Sequence, residues 1–269
     1  MEDQVQDTNN SQKPEEPLEP PIVSTEEVDT LLGGPDADVF IFRNHFDQLS
    51  PLSPPTSEIG TSEGEEILGT EGNDVILGRD GNDTISSFKG DDFLDGQGGD
   101  DLLFSGQDND IVVGSDGSDT LFGDRGADVV YGGDGKDLLF GNQDNDTIFG
   151  DSGDDEIYGG QGNDSLIGGS GSDLLLGDRG EDTLFGASRA GEGYARVADF
   201  DSNEDTILLS GSADRYELIS TQDLSVQTGV FLPSGTAILQ MSLGGDRELI
   251  AVIEGTSSLD LNDSYFQFL

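Results

Sequence analysis

Gly132-Gly133-Asp134-Gly135-Lys136-Asp137-Leu138-Leu139-Phe140 is one copy of a nine-residue unit, Gly-x-x-Gly-x-Asp-x-aliphatic-x, whose recurrence decides the fold. The unit returns as Gly159-Gly160-Gln161-Gly162-Asn163-Asp164-Ser165-Leu166-Ile167. Between Gly69 and Phe185 it occurs thirteen times without insertion or deletion, starting at 69, 78, 87, 96, 105, 114, 123, 132, 141, 150, 159, 168 and 177. A fixed short period implies a solenoid, in which each unit packs only on its neighbours.

The eighth slot is always aliphatic, as at Ile76, Leu103, Val130, Ile148 and Leu184. A short strand centred there points that side chain inward, because strand faces alternate. The six residues before it must turn. Glycine in the first and fourth slots predicts positive φ and carbonyls left uncovered by side chains. Two units then make one 18-residue coil, and coils stack as parallel strands about 4.8 Å apart around a narrow apolar column.

The sixth slot is Asp in every copy: Asp74, Asp83, Asp92, Asp101, Asp110, Asp119, Asp128, Asp137, Asp146, Asp155, Asp164, Asp173 and Asp182. Stacking brings turns of units two apart together and offers carboxylates and carbonyls to a hard cation. Calcium accepts six to eight such oxygens, whereas magnesium keeps a tighter, wetter octahedron and transition metals favour nitrogen or sulfur. Without an ion the aspartate columns repel, so folding and metal binding should be coupled. Pairing each turn with the one two units on allows at most roughly eleven sites, and roughly ten calcium ions are expected.

The formal net charge of -46, from 57 acidic and 11 basic residues, disfavours nucleic acid and anionic membranes as partners. The chain is 32% hydrophobic and has no Trp, so a large conventional core is not expected. Absence of Cys excludes disulfides and thiolate metal sites. No apolar run approaches a membrane span, and Met1-Glu2-Asp3 does not open a cleavable signal.

Residues 1–23, acidic with Pro14, Pro17, Pro20 and Pro21, read as a disordered tail. Residues 24–59 hold an outlying repeat pair around Gly33–Ile41 and a linker through Ser50-Pro51-Leu52-Ser53-Pro54-Pro55. The roll is assigned to 60–186, beginning with a degenerate unit that has Glu65 in the sixth slot. Residues 187–269 read as a β-rich cap, with strands expected at 195–199, 206–209, 236–243 and 248–254.

The unit resembles the Gly-Gly-x-Gly-x-Asp-x-U-x nonapeptide of RTX (repeats-in-toxin, hemolysin-type) proteins. That resemblance implies an all-β, right-handed parallel β-roll that binds calcium. Carried over residue by residue, it makes the thirteen aspartates the side-chain ligands. Carbonyls of the turn glycines Gly72, Gly81, Gly90, Gly99, Gly117, Gly126, Gly135, Gly153, Gly162, Gly171 and Gly180 complete the shell. Ser87 and Ser105 in slot one, and Asp108 and Asp144 in slot four, depart from the family pattern, which weakens the expectation at those turns. Type I secretion machinery is the implied export partner, reading a C-terminal signal, with folding in extracellular calcium. The stretch from Val197 to Ile207 also resembles the segment that follows the array in cyanobacterial type I-secreted RTX proteins.

Enzyme signals are weak. Gly60-Thr61-Ser62-Glu63-Gly64 matches a nucleophile elbow but lacks its hydrophobic strand and helix. His45 is the sole histidine and cannot build an H-E-x-x-H zinc site. Asp199–Asn203 starts like an EF-hand loop, yet Glu204 takes its glycine position and Ser210 that of its bidentate Glu.

The ninth slot points outward and is apolar in two columns, Phe104, Phe122, Phe140, Tyr158, Leu176 and Val113, Tyr131, Phe149, Ile167, Phe185. Such columns exceed the exposed patch of most monomers. At least one is therefore expected to be covered, by the C-terminal part, by residues 24–59 or by another molecule, with self-association one outcome. Taken together, the expectation is a non-enzymatic, secreted calcium-binding protein with a structural or adhesive role. The second reading is the secretion and folding module of an extracellular hydrolase.

Overall fold

The computed structural model describes residues 56–185, 193–228, 231–241, 246–257 and 259–268. The tail over 1–23, the outlying copy at 33–41, the Pro/Ser segment and His45 lie outside the described residues.

Two sheets run side by side, each gathering every second strand of the repeat. The first has ten strands: Thr56–Ile59, Asp74–Asp80, Phe93–Gly98, Ile111–Asp116, Val129–Asp134, Thr147–Ser152, Ser165–Ile167, Thr183–Phe185, Thr206–Leu209 and Phe266–Phe268. Within the repeat, the second holds Glu66–Leu68, Thr84–Ser86, Leu102–Phe104, Thr120–Arg125, Leu138–Gln143, Glu156–Gln161 and Leu174–Arg179. Pairing is parallel with an 18-residue register, Leu121 opposite Leu139 and Val130 opposite Ile148. This is the all-β roll of two-unit coils that the period implied.

Burial alternates as the strand argument requires. Every eighth-slot side chain from Ile76 to Leu184 is fully buried, and the ninth slot is half-buried. The roll therefore has a core one side chain wide per strand, with Leu103, Leu121 and Leu139 in line. Such a column cannot repack around a void. Leu121→Ala should lower stability by about 3 kcal/mol in saturating calcium, read from the urea midpoint at an unchanged slope.

Beyond residue 193 the chain continues both sheets. Ala195–Val197 extends the second sheet and Thr206–Leu209 the first. Arg247–Glu254 then pairs parallel with Ala195–Val197, and the second sheet finishes with antiparallel Gly235–Met241 and Tyr216–Ser220. Phe266–Phe268 closes the first sheet. The apolar column passes without a break into Val197, Ile207, Ile250 and Phe266.

All four expected strands are found, 206–209 with its expected bounds and the other three with ends shifted by one or two residues. Tyr216–Ser220 and the helix Thr221–Thr228 were not expected. Its two apolar residues, Leu224 and Val226, stand two apart and so do not share a helix face, and no apolar stripe marks it in the sequence. The described strands of the C-terminal part lengthen the sheets, pairing with the open edges of the roll's last coil.

Gly60-Thr61-Ser62-Glu63-Gly64 is an exposed bend between Thr56–Ile59 and Glu66–Leu68, without the helix an elbow requires. No helix among the described residues is long and apolar enough to cross a membrane.

Candidate metal centre

The alternation that buries the eighth slot also turns the sixth inward, so all thirteen repeat aspartates are at most 3% exposed. They form two columns, one on each turn edge: Asp74, Asp92, Asp110, Asp128, Asp146, Asp164 and Asp182 on one, Asp83, Asp101, Asp119, Asp137, Asp155 and Asp173 on the other. Within a column each carboxylate reaches back one coil. Asp92 Oδ1 accepts the Asp74 N–H at 2.7 Å, Asp119 Oδ1 that of Asp101 at 2.7 Å and Asp146 Oδ1 that of Asp128 at 2.9 Å.

From Asp83 to Asp173 one carboxylate oxygen is thus used in stacking the coils and the other is left over, whereas Asp74 Oδ2 accepts the Thr70 N–H at 2.5 Å. Eleven buried Oδ2 atoms, those of Asp83 through Asp173, receive no hydrogen bond. A buried carboxylate oxygen without a donor is costly unless a cation or a proton compensates it. Burial raises the Asp92, Asp110, Asp128 and Asp155 carboxyls to about 8 and those of Asp119, Asp146 and Asp182 to about 7. Asp101, Asp164 and Asp173 are raised to about 6 by the same cause. Neighbouring aspartates add to the rise at Asp110 and Asp128.

Carbonyls converge on the same places. A Cβ built on Gly78 would lie 2.6 Å from Asp83 Oδ2 and 2.7 Å from the Gly96 carbonyl of the next coil; on Gly150 it would lie 2.6 Å from Asp155 Oδ2 and 2.4 Å from Gly168 O. Slot-one glycine is therefore required by close approach. Its φ is not positive, and there the sequence-based expectation is corrected.

Positive φ falls instead on slots two and four. Asn142, Asp124 and Asp151 in slot two adopt φ of 77°, 66° and 69°. Arg79, Phe88 and Gln97 hold the same slot at φ of 84°, 78° and 72°, and glycine fills it at Gly106, Gly133, Gly160 and Gly169, so no single residue type reveals it in the sequence. In slot four, Asp108 and Asp144 take φ of 78° and 76°, so these two departures preserve the left-handed turn.

The serine variants are accommodated as well. Ser87 and Ser105 are fully buried, and their hydroxyls donate to the Ser105 and Gly123 carbonyls at 2.6 and 2.7 Å. The Ser87 hydroxyl also lies beside Asp92, but its single hydrogen goes to the carbonyl and Asp92 Oδ2 stays without a donor.

Two features of the site escaped sequence reasoning. The fifth slot carries a second ladder running the opposite way: Asn82 Oδ1 accepts the Asp100 N–H, and Asn145 Oδ1 that of Asn163. Recurrent Asn and Asp in slot five was the available signal. Asp205 also extends one column past the repeat, accepting the Asp182 N–H on Oδ1 and the Asp201 N–H on Oδ2. The EF-hand-like stretch is thus the turn that delivers Asp205, with the Asn203 amide closing on Asp201.

Among the described residues no three acidic or histidine side chains group into a metal site. A cation on these edges therefore draws on one carboxylate oxygen per turn together with carbonyls, a hard all-oxygen set suited to calcium. The donorless Oδ2 atoms fit that demand.

A profile for the RTX calcium-binding nonapeptide repeat matches four times, over residues 59–87, 89–112, 113–148 and 149–184. Among solved structures, the chain is similar to the AlgE6R3 subunit of the mannuronan C5-epimerase from Azotobacter vinelandii, determined in solution. Identity is 29%, over 45% of this chain and 72% of that one, with a TM-score of 0.32. No curated protein matches the sequence.

Proposed function

We propose that this chain, whose residues 59–87 and 89–184 match the RTX calcium-binding nonapeptide repeat, is an RTX β-roll protein that is secreted, folds when calcium loads the roll outside the cell, and serves a structural or adhesive role. The supporting observation is the run of eleven buried aspartate oxygens without a donor, one per turn through most of the array. A chain that neutralises them only on meeting external calcium remains unfolded, and exportable, beforehand.

In this reading Asp74, Asp83, Asp92 and their counterparts through Asp182 each give one oxygen to an ion. Carbonyls of Gly72, Gly81, Gly90, Gly99, Gly117, Gly126, Gly135, Gly153, Gly162, Gly171 and Gly180 supply the rest, for roughly ten ions in all. Calcium contributes positive charge at the turn edges. The aspartates hold it while their other oxygens keep the coils in register.

Calorimetric titration of decalcified protein tests the assignment. The expected result is binding of several ions per chain, with Asp137→Asn removing at least one. Binding of a single ion, or an unchanged count in Asp137→Asn, would refute it.

Export is tested separately. Deleting 210–269 should abolish appearance of the protein in the medium of a host with a type I exporter; secretion at the full-length level would exclude a signal in that part.

A further inference from the structure

Seventh- and ninth-slot side chains stand on the outer faces of the two sheets, on either side of the buried eighth slot. On the first sheet, the seven coils from Val75 to Phe185 set fourteen of them in two columns, and all fourteen are half-buried. Only Asp95 among them is of a charged type, in a chain of net charge -46. Its carboxylate is engaged within its own face: the Ser115 hydroxyl donates to Oδ1 at 3.0 Å and the Gln97 amide to Oδ2 at 3.5 Å.

The two columns change in size in opposite directions. The seventh slot is large early, at Phe93 and Ile111, and small late, at Thr147, Ser165 and Thr183. The ninth is smaller early, at Asp95 and Val113, and large late, at Phe149, Ile167 and Phe185. Val129 and Tyr131 mark the middle coil. Turning the face end over end about that coil sets Phe93 over Ser165, Ile111 over Thr147 and Phe149 over Val113, the larger against the smaller each time. Val129 and Tyr131 then meet their own copies. A surface that complements its own inversion is the isologous surface of a twofold dimer. The same inversion sends the C-terminal strands, which continue this sheet past Phe185, to opposite ends of the pair.

The outer face of the second sheet lacks this property. Inverted about its middle, it sets Phe122 over Phe140 and Phe104 over Tyr158, ring against ring, and brings Leu102 over Glu156, which is paired with Lys136. On the first sheet the rings are fixed beforehand: Tyr131 and Phe149 stack with centroids 4.8 Å apart and planes at 5°. A side chain already held by its neighbour loses little freedom on docking. Seven coils of three outward-facing strand residues measure roughly 34 by 10 Å, or about 340 Å² on each copy taken flat. A standard interface takes about 800 Å² from each partner, so the contact belongs to the weak class.

We propose that the outer face of the first sheet joins two copies of this chain, packed antiparallel with Tyr131 against Tyr131 on the twofold axis. The proposal deepens the structural role above and rests on the calcium-loaded roll, whose stacked coils assemble the face. Repulsion between two acidic copies opposes the contact, and salt screens that repulsion beyond about 8 Å.

Sedimentation velocity of the full chain in millimolar calcium tests it. The expected result is a monomer–dimer equilibrium at micromolar concentration that tightens as salt is added. Assembly stops at the dimer, because the inverted face is used up in it. Glu156 shows that the seventh slot admits glutamate in a formed strand, so Thr147→Glu should leave the roll intact and weaken association tenfold or more. Thr120→Glu, in the same slot of the second sheet, should change it less than twofold. Tyr131→Glu and Tyr131→Lys should each weaken association alone and restore it when mixed. A monomer at every concentration, a polymer beyond the dimer or a dimer loosened by salt would overturn the proposal. So would equal effects of Thr147→Glu and Thr120→Glu, or a mixture of the Tyr131 variants no tighter than either alone. Circular dichroism in calcium separates the two readings: a wild-type monomer with its β signal counts against the face, and a wild-type chain without that signal refutes the calcium-folded roll.

Discussion

Removing calcium with EGTA at pH 7 should abolish most of the β signal in circular dichroism, and acidifying the calcium-free protein to about pH 4 should restore part of it. Both halves follow from the same carboxyls. Burial lifts Asp92, Asp110, Asp128 and Asp155 to about 8 in the folded chain, against roughly 3.9 for an unfolded aspartate. A folded pKa above the unfolded one means that the folded state binds the extra proton. The associated stability is fully present below pH ~4 and is lost as pH rises through the folded values, about 6 for Asp101 and about 8 for Asp155.

At neutral pH the calcium-free roll would have to ionise donorless oxygens in its interior, and it unfolds instead. A proton or a cation each meets the need, so loading calcium onto the acid-folded chain at pH ~4 should release protons, measurable in weak buffer, whereas near pH 7 the unfolded aspartates are already ionised and release few. A β signal that survives complete calcium removal at pH 7, or calcium uptake at pH ~4 without proton release, would contradict this account.

Gly135→Val should cost at least about 4 kcal/mol, enough to open the middle of the roll, whereas Gly135→Asp should cost about 2 kcal/mol or less. Gly135 has φ +144°, and a Cβ there would fall 1.5 Å from the Gly117 carbonyl. A β-branched side chain can neither occupy that space nor move comfortably to the left-handed region. Aspartate can, because Asp108 and Asp144 hold the equivalent slot at φ of 78° and 76° with glycines in the coils on either side. Calcium midpoints of the two variants, followed by circular dichroism, provide the comparison. Equal losses would mean that the slot needs a bare Cα and that the turns of Asp108 and Asp144 are not a route open to Gly135.

Much of the molecule is legible in its period. The inward column from Ile76 to Leu184 and the two-unit coil follow from strand alternation applied to an uninterrupted nonapeptide, since stacking leaves no other register, whereas the burial of the sixth-slot aspartates emerges only when the coils are stacked. After Phe185 the repeat lapses, and with it that legibility. Strand Tyr216–Ser220 and helix Thr221–Thr228 depend on partners distant in sequence, and their local pattern is weak.

The repeat by itself determined which residues would line the turns and that their chemistry would be oxygen and carboxylate. Only the tertiary structure decided the division of labour within each turn. Slot-one glycine is kept by a carboxylate and a carbonyl crowding its Cα, not by its φ. One Asp oxygen is tied to the coil before it and the other is free for an ion. Asp205 joins the column from outside the repeat. These are relations between residues 18 or more apart. They arise when coils stack and place equal slots a strand spacing from one another, a proximity no single unit contains.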